Sequence, residues 1–538
     1  VFSKFKITLI SIIAFSISAD THAFFNKLKP RSFNSCLVIE QALNDDGCIL
    51  SSSRYYAGKQ GSMHLKLYTN DSGDEAFDQP IIVVAPYPGA VITNGSGMEQ
   101  NLDLVFRNAF MGATPSEVKS RYPNSDIFLF SYEYIEGSRF GAGDHIQLNA
   151  FTVLEGIERI NERNSYKSSN AILGTSLGGV VSKYALGYAN KNGIETNVRT
   201  WVTIDSPLKG ANMPLAYQRL PLFIDSMLDD FNDVGIVSLS TFDFIASAID
   251  FLMHGGTLSG LSDLTSEAKK AIRDVRAMVQ MSYDNIHSTS SKQLLINHVV
   301  DKDGNYRSNL LNELRYMPLS KDIRKVVFTN ASLEESYTKP QHWSSSKFIE
   351  SKIDYTHNDL EAAGFRFSEN SNPNRNENLF YGYARKDRFM GNDYHVKEDT
   401  SLTEFPNYQY VNSVPGTNIG ITRNVLFNLN KNILKLESHE PGYARCVNCK
   451  EPNFIPTFSA LDIDPDVYGT DLNKLKGNDL YTTIQKLEAA SPFDKIHHVS
   501  SRIHGYEFDN TNMAKLDSEL LGRHDLAYLI PILNNVLF

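Results

Sequence analysis

The chain is poor in long apolar runs, in basic charge and in cysteine. Beyond its first residues no uncharged apolar stretch approaches the ~20 residues a spanning helix needs, so the mature chain is expected to be soluble. Basic residues do not predominate: 52 Lys and Arg stand against 62 Asp and Glu, a formal net charge of −10. With no basic stripe carrying interleaved aromatics, nucleic acid is excluded as the expected partner. Internal repeats are lacking too, which excludes a solenoid or propeller. Only four cysteines occur among 538 residues, as two local pairs, Cys36 with Cys48 and Cys446 with Cys449. Disulfides are the favoured reading in an exported chain; Cys446-Val-Asn-Cys449 can also be read as a redox or zinc element, for which the oxidising compartment is unfavourable.

Export is read from the N-terminus. Lys4 and Lys6 precede the apolar run Ile7 to Ile17, and Thr21-His-Ala23 follows as a small-x-small cleavage site. An N-terminal membrane anchor is the alternative. The expected destination is periplasm or medium. The organisation read from the sequence is a signal peptide over 1–23, an N-terminal extension over 24–75, a first core part over 76–210, a helical cap or lid over 211–318, and a second core part with irregular insertions over 319–538.

Strand and helix alternate from residue 80. Ile81 to Ala85, Ile127 to Tyr132, Ala171 to Leu173 and Thr200 to Ile204 are continuous apolar strands of the kind buried on both faces. Between the second and third, Leu148, Phe151, Leu154, Ile157 and Ile160 mark an amphipathic helix. Such alternation implies a parallel sheet covered on both faces. From 211 to 318 the chain is helical and apolar, which reads as a cap over the active face or as a separate small helical domain. Residues 378–425 read as irregular with some strand. Ile496 to Val499 read as a last strand and Asn512 to Leu521 as a closing helix.

Chemistry enters with Gly174-Thr-Ser-Leu-Gly178, which follows one expected strand and opens an expected helix, Val180, Val181, Tyr184, Ala185 and Tyr188 forming its apolar face. The pattern is common by itself, and the strand–turn–helix context gives it meaning. A serine hydroxyl held on a sharp turn needs small neighbours, and the N–H groups of the following helix face the carbonyl oxygen that becomes negative during attack. Ser176 is therefore the candidate nucleophile and Leu177 N–H one oxyanion donor. The second donor is expected after an earlier strand, at Ala85-Pro-Tyr-Pro-Gly89. Proline has no N–H, so Tyr87 is the natural choice there, unless the segment is an ordinary turn.

A general base is expected late in the chain, beyond the last strand. His497 and His498 fall within that strand, and His504 falls in the loop after it, which makes it the candidate. The acid that orients the imidazole is read as Asp205, at a strand end next to the nucleophile's. Asp494, Asp462, Asp464 and Glu451 stay open. Alternating carboxylates over Asp462 to Asp471 also suit a calcium ion, but the spacing is incomplete, and a solvated acidic loop is the favoured reading.

Together these residues resemble the lipase-like branch of the α/β-hydrolases, near lecithin–cholesterol acyltransferase-like and bacterial secreted lipase-like proteins. The resemblance is carried by Pro80 to Val84, Asp144 to Ala150, Leu173 to Gly179, Asp205 to Asn212, Phe454 to Leu461, and Ser491 to Asp494 followed by His504. It implies an α/β-hydrolase fold with an inserted helical cap, and hydrolysis or acyl transfer of carboxylic esters through an acyl-enzyme, with no cofactor or metal. Two departures stand out. The usual His-Gly after the first core strand is Ala85-Pro86, and the Asp-Gly expected before a Thr-Val-Pro segment is Pro452-Asn453. The apolar cap residues Phe223, Met227, Phe231, Phe242 and Phe251 fit either a long-chain acyl or lipid substrate, with transient contact to a lipid surface, or a second hydrophobic core. A peptidase, thioesterase or polyester depolymerase on the same fold is an alternative, as is a secreted binding protein that has lost its chemistry.

Overall fold

The computed structural model describes residues 47–68, 77–87, 113–132, 139–164, 169–219, 283–329, 347–354, 362–368, 378–386, 394–407, 453–464 and 489–498, with shorter pieces at 35–36, 42, 106–107, 110, 134–135, 222–223, 416–418 and 443–446. The export segment, the closing helix and most of 220–282 lie outside the described residues.

The strands are β1 (Cys48–Tyr56), β2 (Lys59–Tyr68), β3 (Ile81–Val84), β4 (Ile127–Ser131), the short pair β5 (Tyr134–Ile135) and β6 (Arg139–Phe140), β7 (Asn170–Thr175), β8 (Val198–Ile204) and β9 (Arg324–Thr329). They continue as β10 (Lys347–Asp354), β11 (Ala362–Ser368), β12 (Asn378–Lys386), β13 (Tyr394–Ser401), β14 (Gly416–Asn418), β15 (Tyr443–Cys446), β16 (Asn453–Pro456) and β17 (Lys495–His498). The helices used below are α1 (Pro115–Arg121), α2 (Ile146–Asn164), α3 (Leu177–Lys191), α4 (Thr289–Leu294), α5 (Asn305–Arg315) and α6 (Thr457–Ala460).

Eight strands form the main sheet in the order β1-β2-β4-β3-β7-β8-β9-β17. β2 runs antiparallel to both β1 and β4, and every other pairing is parallel. The sequence pattern explains the division. β3, β4 and β7 are buried at every position, as interior parallel strands covered on two faces require. β1 alternates buried with exposed positions along its first half, as an edge strand with one wet face does. Right-handed crossovers put α1, between β3 and β4, on the face opposite α2 and α3. α2 buries Phe151, Leu154, Ile157 and Ile160, the apolar stripe read from the sequence. Trp201 of β8 is fully buried, stacked on Phe493, with its indole N–H donating to Ser182 Oγ at 3.0 Å.

Three readings of the chain's organisation change. Residues 24–75 are not all a preceding extension, since 48–68 supply the first two strands of the main sheet. Their half-polar composition is a weaker signal than a continuous apolar run. Cys36 is bonded to Cys48 and so ties the preceding segment to β1, whereas Cys449 lies outside the described residues. The stretch read as irregular with some strand does hold strands, and more regularly than that: it contains β12 and β13 of an antiparallel sheet, ordered β13-β12-β11-β10-β15 and inserted between β9 and β17. Finally, α5 packs on the body of the core: its Glu313 accepts from Tyr56 and Tyr184 hydroxyls at 2.8 Å each and from Gln147 at 3.0 Å.

The two insertions meet. Phe405, just past β13, is buried with Leu215, Ile286 and Val299, and Lys302 pairs with Glu404 at 2.6 Å. Phe223 is fully buried against Phe380 of β12, which makes it part of a second apolar core. Its companions Met227, Phe231, Phe242 and Phe251 lie outside the described residues.

His298 fixes the connection between α4 and α5. Its Nδ1 accepts from the Val300 and Asp301 N–H groups at 3.0 Å each, so the proton sits on Nε2, which donates to the Ile286 carbonyl at 2.7 Å. Burial pushes its pKa down from 6.5 to about 4. Protonation costs the folded state two hydrogen bonds, whereas the unfolded chain takes up the proton near 6.5. Stability contributed by His298 is thus complete above pH ~6.5 and is lost as the pH falls towards ~4, by about 2–3 kcal/mol. Denaturant titrations across that window should show this slope, and His298→Ala should flatten it while lowering stability at neutral pH.

Candidate active site

The strands' C-terminal ends converge on one bend. β7 is buried throughout and runs directly into Ser176, whose φ of 49° and ψ of −119° lie in a region that L-residues rarely occupy. Holding a non-glycine residue there costs ~1–3 kcal/mol, and such strain concentrates at functional sites. Ser176 N–H donates to the Ile204 carbonyl at 2.9 Å, and its own carbonyl accepts from Gly179 N–H at 3.1 Å, so the bend is pinned on both sides. Its side chain stays partly exposed while Leu177, the first residue of α3, is buried. The first-turn N–H groups of α3 have no acceptor within the helix and carry the positive end of its dipole.

Glycines make this geometry possible. A Cβ on Gly174 would stand 2.6 Å from the Gly178 carbonyl and the Gly179 Cα. One on Gly178 would drive into the Val84 carbonyl oxygen, the last residue of β3. The helix start is thereby pressed against the point where the chain leaves β3 for Ala85-Pro-Tyr87. Tyr87 lies beside the site, and its hydroxyl donates to Asn285 Oδ1 at 2.8 Å. Burial raises that hydroxyl's pKa well above the usual tyrosine range.

Asp205 occupies the next strand end. Thr175 pairs with Ile204, so Ser176 and Asp205 directly follow paired residues at the C-terminal ends of adjacent strands, which run roughly 4.8 Å apart. Asp205 is fully buried, its φ is 40°, and its N–H donates to the Phe328 carbonyl of β9 at 3.0 Å. A buried carboxylate is stable only with a partner for its charge. Ser206, the following residue, reaches the Ile204 and Gly174 carbonyls at 3.3 and 3.4 Å and lies where a Gly179 Cβ would go.

Strand order, the single antiparallel strand β2, and a strained Gly-x-Ser-x-Gly bend after the fifth strand of the main sheet decide the architecture. This is the α/β-hydrolase fold. No protein-family model and no curated protein matches the chain. Among solved structures it is similar to a peroxisomal α/β-hydrolase of Saccharomyces cerevisiae, at 10% identity over 52% of this chain and 72% of that one, with a TM-score of 0.28. It is also similar to Candida antarctica lipase A, at 11% identity over 52% and 64% with a TM-score of 0.27. A Rhizomucor miehei esterase shares 15% identity over 52% and 64%, with a TM-score of 0.22. Likeness at this level adds nothing to the site, which stands on its own geometry.

In an α/β-hydrolase the base follows the last strand. Among the described residues that strand is β17, whose His498 pairs with Thr329 at the same edge of the sheet. His504 is six residues further on and lies outside the described residues. His497 is stacked on Phe328, and burial lowers its pKa. His298 has both ring nitrogens engaged, and His287 is stacked on Tyr283 with Nδ1 at the Tyr283 carbonyl.

The other carboxylates are placed elsewhere. Asp494 accepts from Lys325 N–H at 2.7 Å at the start of β17, the end of the sheet opposite Ser176. Asp464 faces Arg315 at 3.5 Å on the surface, and Glu451 lies outside the described residues. Asp462 is gripped by Lys183 Nζ at 2.6 Å from both oxygens, with Lys209 at 3.6 Å. That pairing commits one carboxylate of the candidate calcium loop to a lysine.

Sequence reading missed this pair and the Tyr87–Asn285 link. The first had a signal: Lys183 interrupts a helix that is otherwise buried almost all round, and a buried ammonium needs an anion. Tyr87 and Asn285, 198 residues apart, offered none. Lys183 and Asp462 side chains are only 11% and 8% exposed, so removing one partner strands a buried charge. Asp462→Asn or Lys183→Met should each cost about 3–5 kcal/mol in denaturant unfolding, and the double replacement Lys183→Met with Asp462→Leu should recover most of the loss.

Proposed function

We propose that the chain is a serine hydrolase that cleaves carboxylic esters through an acyl-enzyme on Ser176. The single observation that carries this is the backbone of Ser176, strained onto a partly exposed bend with a buried carboxylate at the adjacent strand end. Strained non-glycine backbone of this kind concentrates at functional sites.

In the proposed reaction His504 takes the Ser176 proton as Oγ attacks the ester carbonyl. Asp205 holds the imidazole in the tautomer that accepts this proton and stabilises the charged ring. Leu177 and Tyr87 N–H groups receive the developing oxyanion. His504 then protonates the departing alcohol, and a water activated by the same imidazole releases the acid. The reading includes the lipase-like branch, with residues from 211 onward as the cap and an acyl ester or lipid as substrate. It also places the protein outside the cytoplasm, after cleavage at Ala23. The Cys36–Cys48 disulfide supports an oxidising destination.

Purified protein should hydrolyse p-nitrophenyl acyl esters and take up a fluorophosphonate probe. Ser176→Ala should abolish both; undiminished hydrolysis in that variant contradicts the proposal. Asp205→Asn should lower kcat by about 10³–10⁴-fold, as loss of the tautomer-setting acid does, while Asp494→Asn changes it less than about twofold. A series of acyl chain lengths tests the lipid reading, which fails if short chains are preferred.

A further inference from the structure

The segment after β3 is chemically unusual for an oxyanion loop. Between Ala85 and Gly89 it reads Pro86-Tyr87-Pro88, so the only backbone donor is Tyr87 N–H. Each proline fixes its own φ near −65° and restricts the residue before it to extended conformations. Ala85 and Tyr87 are both so restricted. Pro86 to Pro88 thus offers one donor on a restricted backbone, so its use depends on how that stretch is turned at the end of β3.

Two contacts bear on that rotation. At one end Gly178 is packed against the Val84 and Ala85 carbonyls, which holds the root of the loop over the start of α3. At the other end the Tyr87 hydroxyl donates to Asn285 Oδ1 at 2.8 Å, with the Ser288 side chain beside the same oxygen. Asn285 is itself held firmly. Its carbonyl accepts from Ser291 Oγ at 2.6 Å and from Ser288 N–H at 3.3 Å, and the Ile286 carbonyl accepts from His298. In the last turn of α4, Gln293 ties this segment to the core: its Oε1 accepts from Ile146 N–H at 2.9 Å and its Nε2 donates to Gln147 Oε1 at 2.8 Å, both at the start of α2. A rigid path therefore runs from α2 through 285–293 to the tyrosine ring.

We propose that the Tyr87–Asn285 hydrogen bond is a positioning device that aims the loop's one N–H at the Ser176 oxyanion. Tyr87 is thus used twice, its N–H as the donor and its hydroxyl as the peg that orients it. Asn285 acts only through Tyr87. The inference rests on the serine-hydrolase reading of the site and adds to it that a segment inserted between β8 and β9 controls transition-state binding.

The test uses the full chain and three variants, Tyr87→Phe, Asn285→Ala and their combination, with p-nitrophenyl butyrate as substrate. Tyr87→Phe should lower kcat about 10- to 100-fold with KM within about twofold, less than the 10²–10³ lost when a donor is removed outright. Affinity for a trifluoromethyl ketone, which mimics the tetrahedral adduct, should fall in parallel with kcat/KM across the variants. The double variant should be no worse than Tyr87→Phe, because loss of the hydroxyl already breaks the bond that Asn285→Ala removes. Asn285→Asp keeps the acceptor oxygen and should recover most of what Asn285→Ala loses. Melting temperatures identify any variant that has lost structure, and Tyr87→Phe, which deletes one oxygen, is the arbiter. Wild-type kcat in Tyr87→Phe, or losses that simply add in the double variant, overturn the positioning role while leaving Ser176 as nucleophile. Failure of the unaltered chain to label at Ser176 overturns both.

Discussion

The structure depends on how closely the start of α3 approaches the ends of β3 and β8. At Gly178 there is no room for a single carbon beside the Val84 carbonyl, and at Gly179 none beside Ser206. That contact forces the chain to turn within one residue between strand and helix, and Ser176 takes the strained conformation that results. The same contact fixes what surrounds the serine. The Ala85-Pro-Tyr87 segment leaves β3 directly above the helix start, and Asp205 leaves β8 one strand away. The strain is sustained because buried strands on both sides over-determine the bend.

What could be read from the sequence followed from signal strength. Interior parallel strands are covered on both faces, so Ile81 to Val84 and Ile127 to Phe130 appear as unbroken apolar runs and are found without difficulty. The glycine spacing around Ser176 is equally direct, because steric demand there leaves little choice of residue. β1, at the sheet's edge, and β2 beside it carry a half-polar pattern that resembles a loop-rich extension, and the sheet from β10 to β15 lies in a region rich in Tyr, Phe and Thr with no clean alternation. Contacts between distant segments left still less trace. Asp462 looked like an acid or a calcium ligand on its own, and only its place beside Lys183 shows otherwise. The place of Asp205 at the strand end next to the nucleophile's was legible because its strand follows directly in sequence, whereas the place of Asp494 at the far end of the sheet needs strand direction as well as order.

The insertions respect this arrangement. One follows β8 and the other follows β9, both at the C-terminal edge of the sheet, where added chain does not disturb the core. They are joined to each other through Phe223 and Phe380 and through Lys302 and Glu404, and the first returns to the core through α5 and the Glu313 cluster. Material between neighbouring core strands is thereby made part of the frame around the bend, consistent with a fold in which loops vary while strand ends hold the chemistry.

The central claim is spatial: an imidazole from beyond β17 reaches the space between Ser176 and Asp205. The most direct measurement is a crystal structure of the protein with a boronic acid bound. The account predicts boron on Ser176 Oγ, His504 Nδ1 within about 2.6–3.2 Å of the Asp205 carboxylate, and Nε2 facing the adduct. Boron on another residue, or residue 504 on the opposite side of the molecule, contradicts it.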